Sequence, residues 1–153
     1  MLVGVISDTH GLLRPEAVAA LRDAKVAHIL HAGDVGNFDI LDTLRAIAPV
    51  TAIRGNIDLH GQCAELPATE AIELDSALFY LVHSVHDLDV NPVAAQLAAV
   101  VSGHSHQPGF EMRDGVLYLN PGSAGPRRFK LPVTLAFVEI DGGVLTPTIL
   151  PLL

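Results

Sequence analysis

Tryptophan is absent from this chain and aromatic residues make up only 5% of it, so Val, Leu, Ile and Ala rather than large rings are expected to fill its interior. Cys63 is the only cysteine, which excludes an intrachain disulfide and fits a reducing compartment. Basic side chains are scarce: 9 Lys and Arg stand against 17 Asp and Glu, a formal net charge of −8. That excess opposes attraction to a phosphate backbone, so no general nucleic-acid binding is expected unless cations offset the field locally. Long hydrophobic runs are missing too. The first apolar run has no basic flank and is interrupted by Asp8, so neither a signal peptide nor a membrane segment is expected and the location is read as cytoplasmic. There is no internal repeat and no low-complexity tract.

What is present is apolar residue over 50% of a 153-residue chain. That length is about one domain, spanning 1–153, able to bury roughly 68–70% of its unfolded surface. Leu2 to Ile6 is a continuous apolar run, as expected of a strand covered on both faces. Pro15 suits a first helical turn, followed by the stripe Ala17, Val18, Ala20, Leu21. Ala27 to Leu30 reads as a second strand. Asn37 is placed to cap a helix carrying Ile40, Leu41, Leu44 and Ile47, stopped by Pro49, before a third strand over Val50 to Ile53. This is a βαβαβ pattern. Ile57 to Thr69 reads as loop, and Ala71 to Leu74 and Ala77 to Val82 as strands joined at Asp75-Ser76. Asn91-Pro92 is expected to open a further helix, with Val100-Val101 following. Turns at Asp114-Gly115 and Asp141-Gly142-Gly143 separate strands over Val116 to Leu119, Val133 to Ile140 and Val144 to Leu150. Strands in both halves with helices outside favour two packed sheets flanked by helices over a single doubly wound sheet.

Polar residues follow these runs in a pattern that carries chemistry. Asp8 and His10, two apart beyond the first strand, can face one cation, although such a pair alone also suits local hydrogen bonding. Gly33-Asp34 and Gly55-Asn56 taken singly are ordinary turn chemistry. Gly103-His104-Ser105-His106 says more, because glycine permits a tight turn and the alternation lets two imidazoles straddle neighbouring ions. A lone His83 ends the run Ala77 to Val82. All these groups follow strand-like segments, so they can gather at one carboxyl edge, where open α/β folds bind their ligands. Oxygen and nitrogen donors without thiolate suit hydrolytic rather than redox ions.

The order Asp-x-His, Gly-Asp, Gly-Asn-x-Asp, His and Gly-His-x-His resembles that of calcineurin-like metallophosphoesterases over nearly the whole chain. His31-Ala32-Gly33-Asp34, Arg54-Gly55-Asn56-Ile57-Asp58 and Asn120-Pro121-Gly122-Ser123 narrow the likeness to the small YfcE-like phosphodiesterases. The resemblance implies a four-layer α/β/β/α sandwich of two mixed sheets. It implies two divalent ions, with Asp8, His10, Asp34 and His106 around one, Asp34, Asn56, His83 and His104 around the other, and Asp34 as the bridge. Mn2+ is the first expectation for both, with Fe, Ni2+, Zn2+ or Mg2+ compatible with the same donors. Asp34 and Asn56 are carried over as catalytic, while guanidinium geometry makes Arg54 and Arg127 candidate phosphate donors, the alternative for Arg127, Arg128 and Lys130 being a solvated basic loop. The implied activity is hydrolysis of a small phosphodiester, or of a monoester, by in-line attack of a metal-bound hydroxide.

Two departures stand out. Many larger relatives have His between the Asn and Asp of Gly-Asn-x-Asp, where it stabilises the transition state and protonates the leaving alcohol; here Ile57 can do neither, and His60 is the nearest substitute. His83 is followed by Ser84 rather than the usual glycine, with His86 as a fallback ligand. His31 reads as a packed or outer partner and His28 as non-catalytic. The competing reading is a non-catalytic metal-binding or protein-binding scaffold of the same fold, as in the retromer subunit. A homo-oligomer is also compatible with the sequence.

Overall fold

A computed structural model describes residues 1–153. Its first sheet combines β1 (Leu2–Ile6), β2 (His28–His31), β3 (Val50–Ala52), β9 (Thr134–Asp141) and β10 (Val144–Pro151) in the order β10-β9-β1-β2-β3. The second combines β4 (Thr69–Leu74), β5 (Ala77–Val82), β6 (Ala99–Val101), β7 (Gly109–Arg113) and β8 (Val116–Asn120) in the order β4-β5-β6-β8-β7. Both sheets are mixed: β1 runs parallel to β2 and antiparallel to β9, while β6 lies parallel to β5 and β8. β1 is apolar throughout because it is central and covered on both faces.

The main core lies between the sheets, where Val3, Val5, Leu30 and Ile53 meet Phe79, Leu81, Val101 and Leu119. A second cluster packs the outer face of the first sheet against α1 (Pro15–Asp23) and α2 (Asp39–Arg45), using Ile6, Leu21, Ile29, Leu41 and Leu44. α1 starts at Pro15, where a missing N–H costs nothing. Its Leu21 is fully buried, a placement worth roughly 1.5–3 kcal/mol. The helix sits so close to β1 that a Cβ on Gly4 would lie 2.5 Å from Leu21 Cδ2. Before α2, Phe38 rather than the expected Asn37 is the N-cap, and the side-chain oxygen of Asn37, one residue earlier, accepts the Asp39 N–H at 2.9 Å.

The fourth layer differs from expectation in its local structure. No α-helix follows Asn91-Pro92; residues 91–97 form turns closed by Ala95 N–H to the Asn91 carbonyl and Leu97 N–H to the Pro92 carbonyl. Val93 is 57% exposed and only Leu97 reaches the sheet, so the segment has no apolar stripe to hold a helix down. Gln96, at φ 58°, ends the turn. Leu97 of this segment, with Leu88 and Val90 just before it, covers the outer face of the second sheet, against Tyr80, Val82, Val100 and Val116. The loop after β3 contains a 3-10 helix over Gly61–Glu65, and β7 is a strand that the pattern of residues did not announce. No helix is long and apolar enough to cross a membrane.

Candidate metal centre

Every motif singled out in the sequence leaves the carboxyl end of a strand. Asp8 and His10 follow β1, Asp34 follows β2, Asn56 follows β3, His83 follows β5, and His104 and His106 follow β6. Because β1, β2 and β3 are mutually parallel, as are β5 and β6, these ends share one edge. Backbone bonds hold the outgoing loops together beyond the strands: Asp8 N–H to the Gly33 carbonyl at 3.0 Å, His10 N–H to the Asp34 carbonyl at 2.9 Å, and Gly103 N–H to the His83 carbonyl at 2.9 Å. The loops turn sharply where the donors sit. Asp8, His10, Asp34, His104 and His106 all have φ between 47° and 71°, a left-handed conformation uncommon for side-chain-bearing residues and concentrated at functional sites.

The carboxylates divide their oxygens between support and centre. Asp8 Oδ2 accepts from Ser7 Oγ at 2.8 Å and from the His104 N–H at 3.0 Å, while its Oδ1 is buried without any partner. Asp34 Oδ1 accepts the Ile57 N–H at 3.0 Å, while its Oδ2 lies 3.3 Å from His10 Nε2 and 3.2 Å from His83 Nε2. Asp8 Oδ1 lies 3.7 Å from His10 Nε2, 3.8 Å from His83 Nε2 and 3.5 Å from His106 Nε2. Two donors that bind one ion at about 2.1 Å each sit roughly 3.0–3.5 Å apart; three of these five distances have that spacing, and those from Asp8 Oδ1 to His10 and His83 are slightly longer. His10 Nε2, His83 Nε2 and His106 Nδ1 are likewise buried and unpartnered, a costly arrangement for a polar group left alone. The donor set therefore fits divalent cations.

Within this set, Asp8, His10 and His106 form one group able to hold an ion, and Asp8, Asp34 and His83 a second. Asp8 thus touches both groups. His104 and Asn56 stand at the rim, exposed, with His104 Nδ1 3.2 Å from Asn56 Oδ1, and the His104 ring meets that of His83 edge-on at 5.3 Å. His83, not His86, faces the carboxylates. Its Nδ1–H donates to the Ala32 carbonyl at 2.7 Å, which leaves the Nε2 lone pair directed at the centre.

Ionisation follows the same geometry. Burial alone would lower the His83 pKa, but the Asp34 carboxylate 3.2 Å away, the Ala32 carbonyl and the charge of Asp8 hold it above the ordinary value. Burial alone would raise Asp34, but His83, the Ile57 N–H and the charge of His10 keep it below the usual carboxylate range. His106 is pushed down by burial and by Arg128 and His10, against Asp8 and Asp34. In the absence of metal, His83 and Asp34 therefore sustain each other's charge, and a cation can take the place of the proton.

The outer residues include some that sequence reasoning passed over. His31 is wholly buried, with Nδ1 accepting the Gly33 N–H at 3.2 Å and Nε2 3.1 Å from Thr9 Oγ1. Thr9 in turn donates to the Val35 carbonyl at 2.8 Å, so His31 ties the loops of Asp8 and Asp34 together. Asp58 accepts three backbone N–H groups, from Val35, Gly36 and Gly55, at 3.1, 3.0 and 2.8 Å. It fastens the Asp34 loop to the Asn56 loop, and only its place in Gly-Asn-x-Asp hinted at this. Asn120 Nδ2 donates to the Gly103 carbonyl at 3.0 Å, and Ser123 Oγ to the Asp8 carbonyl at 2.9 Å.

Clefts flank the centre on both sides. Arg54 lines one of about 610 Å³ with Asn56, His83 and His104, although its Nη1 already donates to the Leu66 carbonyl at 2.6 Å. Arg127 lines another of about 340 Å³ with His10, His106, Arg128 and Phe129. Ile57 is 39% exposed at the rim, where it presents no titratable group. His60 is exposed in the loop that follows.

Comparison with known proteins agrees with this architecture. The chain is 37% identical to a probable metallophosphoesterase of Methanothermobacter thermautotrophicus, over 98% of this chain and 92% of that protein. It is 29% identical to a phosphodiesterase of Methanocaldococcus jannaschii, over 80% of this chain and 83% of the relative. Its fold is similar to that of Vps29 from Entamoeba histolytica, crystallised with Zn2+, at a TM-score of 0.75 and 21% identity, covering 99% of each chain. Residues 1–143 match the model of the calcineurin-like phosphoesterase superfamily domain, and the chain belongs to that superfamily.

Proposed function

We propose that this protein is a dinuclear metal-dependent phosphoesterase whose preferred substrates are small phosphodiesters. The observation that carries the reading is the convergence of three buried, unpartnered donor atoms, Asp8 Oδ1, His10 Nε2 and His83 Nε2, with Asp34 Oδ2 within 3.3 Å of both of those imidazoles and His106 Nε2 3.5 Å from Asp8 Oδ1. Asp8, His10 and His106 would hold one ion and Asp34 and His83 the other, with Asn56 and His104 completing it from the rim and Asp34 or Asp8 shared between them. Such a pair of ions, Mn2+ first among the candidates, lowers the pKa of water toward neutrality and neutralises charge on phosphoryl oxygens.

The chain's own residues supply position and neutrality. Asn56 and His104 face the open side, where a phosphate oxygen would arrive, and Arg54 and Arg127 stand on either flank to receive its other oxygens. Ile57 cannot protonate a leaving alcohol. General acid catalysis is typically worth about a hundredfold to ten-thousandfold, so esters of acidic alcohols such as nitrophenol are expected to turn over far faster than alkyl esters. The name of the Methanocaldococcus relative supports the diester preference.

The test is metal analysis together with hydrolysis of a panel of diesters and monoesters with added Mn2+, comparing the parent with Asp34→Asn and His106→Ala. Stoichiometric binding of two ions and diester turnover lost in both variants is the expected result. Tight metal binding with no turnover of any phosphate ester would replace this reading with a scaffold role, a possibility raised by Ile57 and by the likeness in fold to Vps29.

A further inference from the structure

The sheets end in four edge strands, and three of them are poor templates for another chain. β10 carries Pro147 and Pro151, which interrupt any added ladder. β3 is only three residues long. β4 presents Glu70 and Glu73 without a basic residue, so pairing with itself gathers like charge. β7 is different. All five of its residues are exposed, it pairs on one side only, with β8, and it has no proline. Phe110 is 52% and Met112 62% exposed, although their ladder partners Leu119 and Leu117 are buried in the core between the sheets. The apolar face of the second sheet therefore runs out past its cover at this edge, the situation that natural proteins otherwise avoid.

We infer that β7 pairs antiparallel with β7 of a second copy of this chain, in the register centred on Met112. The sequence of the strand selects that register. Directly opposite residues share a face in antiparallel pairing. A two-fold axis at Glu111 sets glutamate against glutamate, and an axis between Glu111 and Met112 is excluded because it would oppose residues of different faces, Phe110 with Arg113. An axis at Met112 places Met112 against its copy on the apolar face and Glu111 against the partner's Arg113, twice, on the other. On that polar face Glu111 and Arg113 already form an ion pair within the strand, and Arg113 stacks 4.7 Å over the Tyr118 ring, so the charges are held where the second copy needs them. A groove of about 390 Å³ beside the strand, lined by Phe110, Glu111, Arg113 and Tyr118, gives the opposing side chains room. β7 begins three residues beyond His106, so the joint would be continuous with the loop that carries His104 and His106.

A five-residue ladder with two apolar side chains buries less than a standard interface, so half-association is expected on the order of 10–100 μM. Sedimentation of the metal-loaded chain from about 1 μM to about 1 mM should show a mass rising from 16.2 kDa toward twice that value. Glu111→Arg and Arg113→Glu, each alone, should stay monomeric, while an equimolar mixture of the two recovers the dimer because each supplies the charge the other lacks. Both side chains are exposed and outside the metal centre, so melting temperature and metal content should match the parent. A parent that stays monomeric throughout overturns the inference, as does a dimer that both single variants leave intact or a mixture that remains monomeric.

Discussion

Replacing Asp58 tests how far the centre depends on a residue that touches no donor atom. Its carboxylate is 3% exposed; Oδ2 serves the N–H groups of Val35 and Gly55, and Oδ1 that of Gly36. In Asp58→Asn the amide oxygen can keep the first pair, but the NH2 group then opposes the Gly36 N–H, leaving one donor unmet and two bonds without charge assistance. An unsatisfied buried donor costs about 1–3 kcal/mol, so about 2–3 kcal/mol is expected for Asn and about 4–5 for Ala, which loses all three acceptors. At about 2–4 °C per kcal/mol for a domain of this size, the Asn variant should melt about 4–12 °C lower. Because Asp58 clamps the loop of Asp34 to that of Asn56, Mn2+ affinity should also fall, by the roughly 10–100-fold typical of supporting residues. Circular-dichroism melts and isothermal titration read both. An Asn variant that melts within about 2 °C of the parent and binds Mn2+ equally well would refute the clamp.

His31 makes the metal-free chain acid-sensitive. Burial lowers its pKa to about 4, against the raising charges of Asp8, Asp58 and Asp34. Below about 6.5 the unfolded chain takes up a proton that the folded chain refuses, so stability falls with pH from there until about 4, by about 3 kcal/mol in all. His31→Gln, which can keep a donor toward Thr9 and an acceptor toward Gly33, should flatten denaturant midpoints measured in chelator over that window; an unchanged slope would exclude His31 as the cause. Gly103→Ala places a Cβ 2.1 Å from Ser7 Oγ and 2.5 Å from Asp8 Oδ2. Overpacking of this kind costs about 1–3 kcal/mol and displaces Asp8, so bound metal per chain should drop, and full metal occupancy in the variant would contradict the crowding.

What could be read from the residues alone was whatever is local. Leu2 to Ile6 and Ala77 to Val82 are both strands over those bounds, because central strands must be apolar without interruption. The expected helix after Asn91-Pro92 failed because capping chemistry was present but an apolar face to bury was not. β7 escaped notice for the opposite reason: Gly109-Phe110-Glu111-Met112-Arg113 gains its conformation from pairing with β8, a long-range fact. At the centre, Asp8, His10, Asp34, His83 and His106 are together as the motif order implied, yet Asp8 reaches both groups of donors, a consequence of side-chain direction that spacing does not encode. The acceptor role of Asp58 was equally hidden, since its three donors come from two separate loops.

β1, which delivers Asp8 and His10, is flanked in its sheet by β2 and by β9, and β9 begins only at Thr134. During synthesis the first strand must wait until Thr134 to Asp141 have emerged before its second neighbour exists, and the imidazoles of His83 and His106 also follow long after Asp8. An emerging chain consequently has no formed pocket with which to discriminate among cellular ions. Whatever cation is held is therefore chosen by the folded molecule, once β9 has joined the sheet.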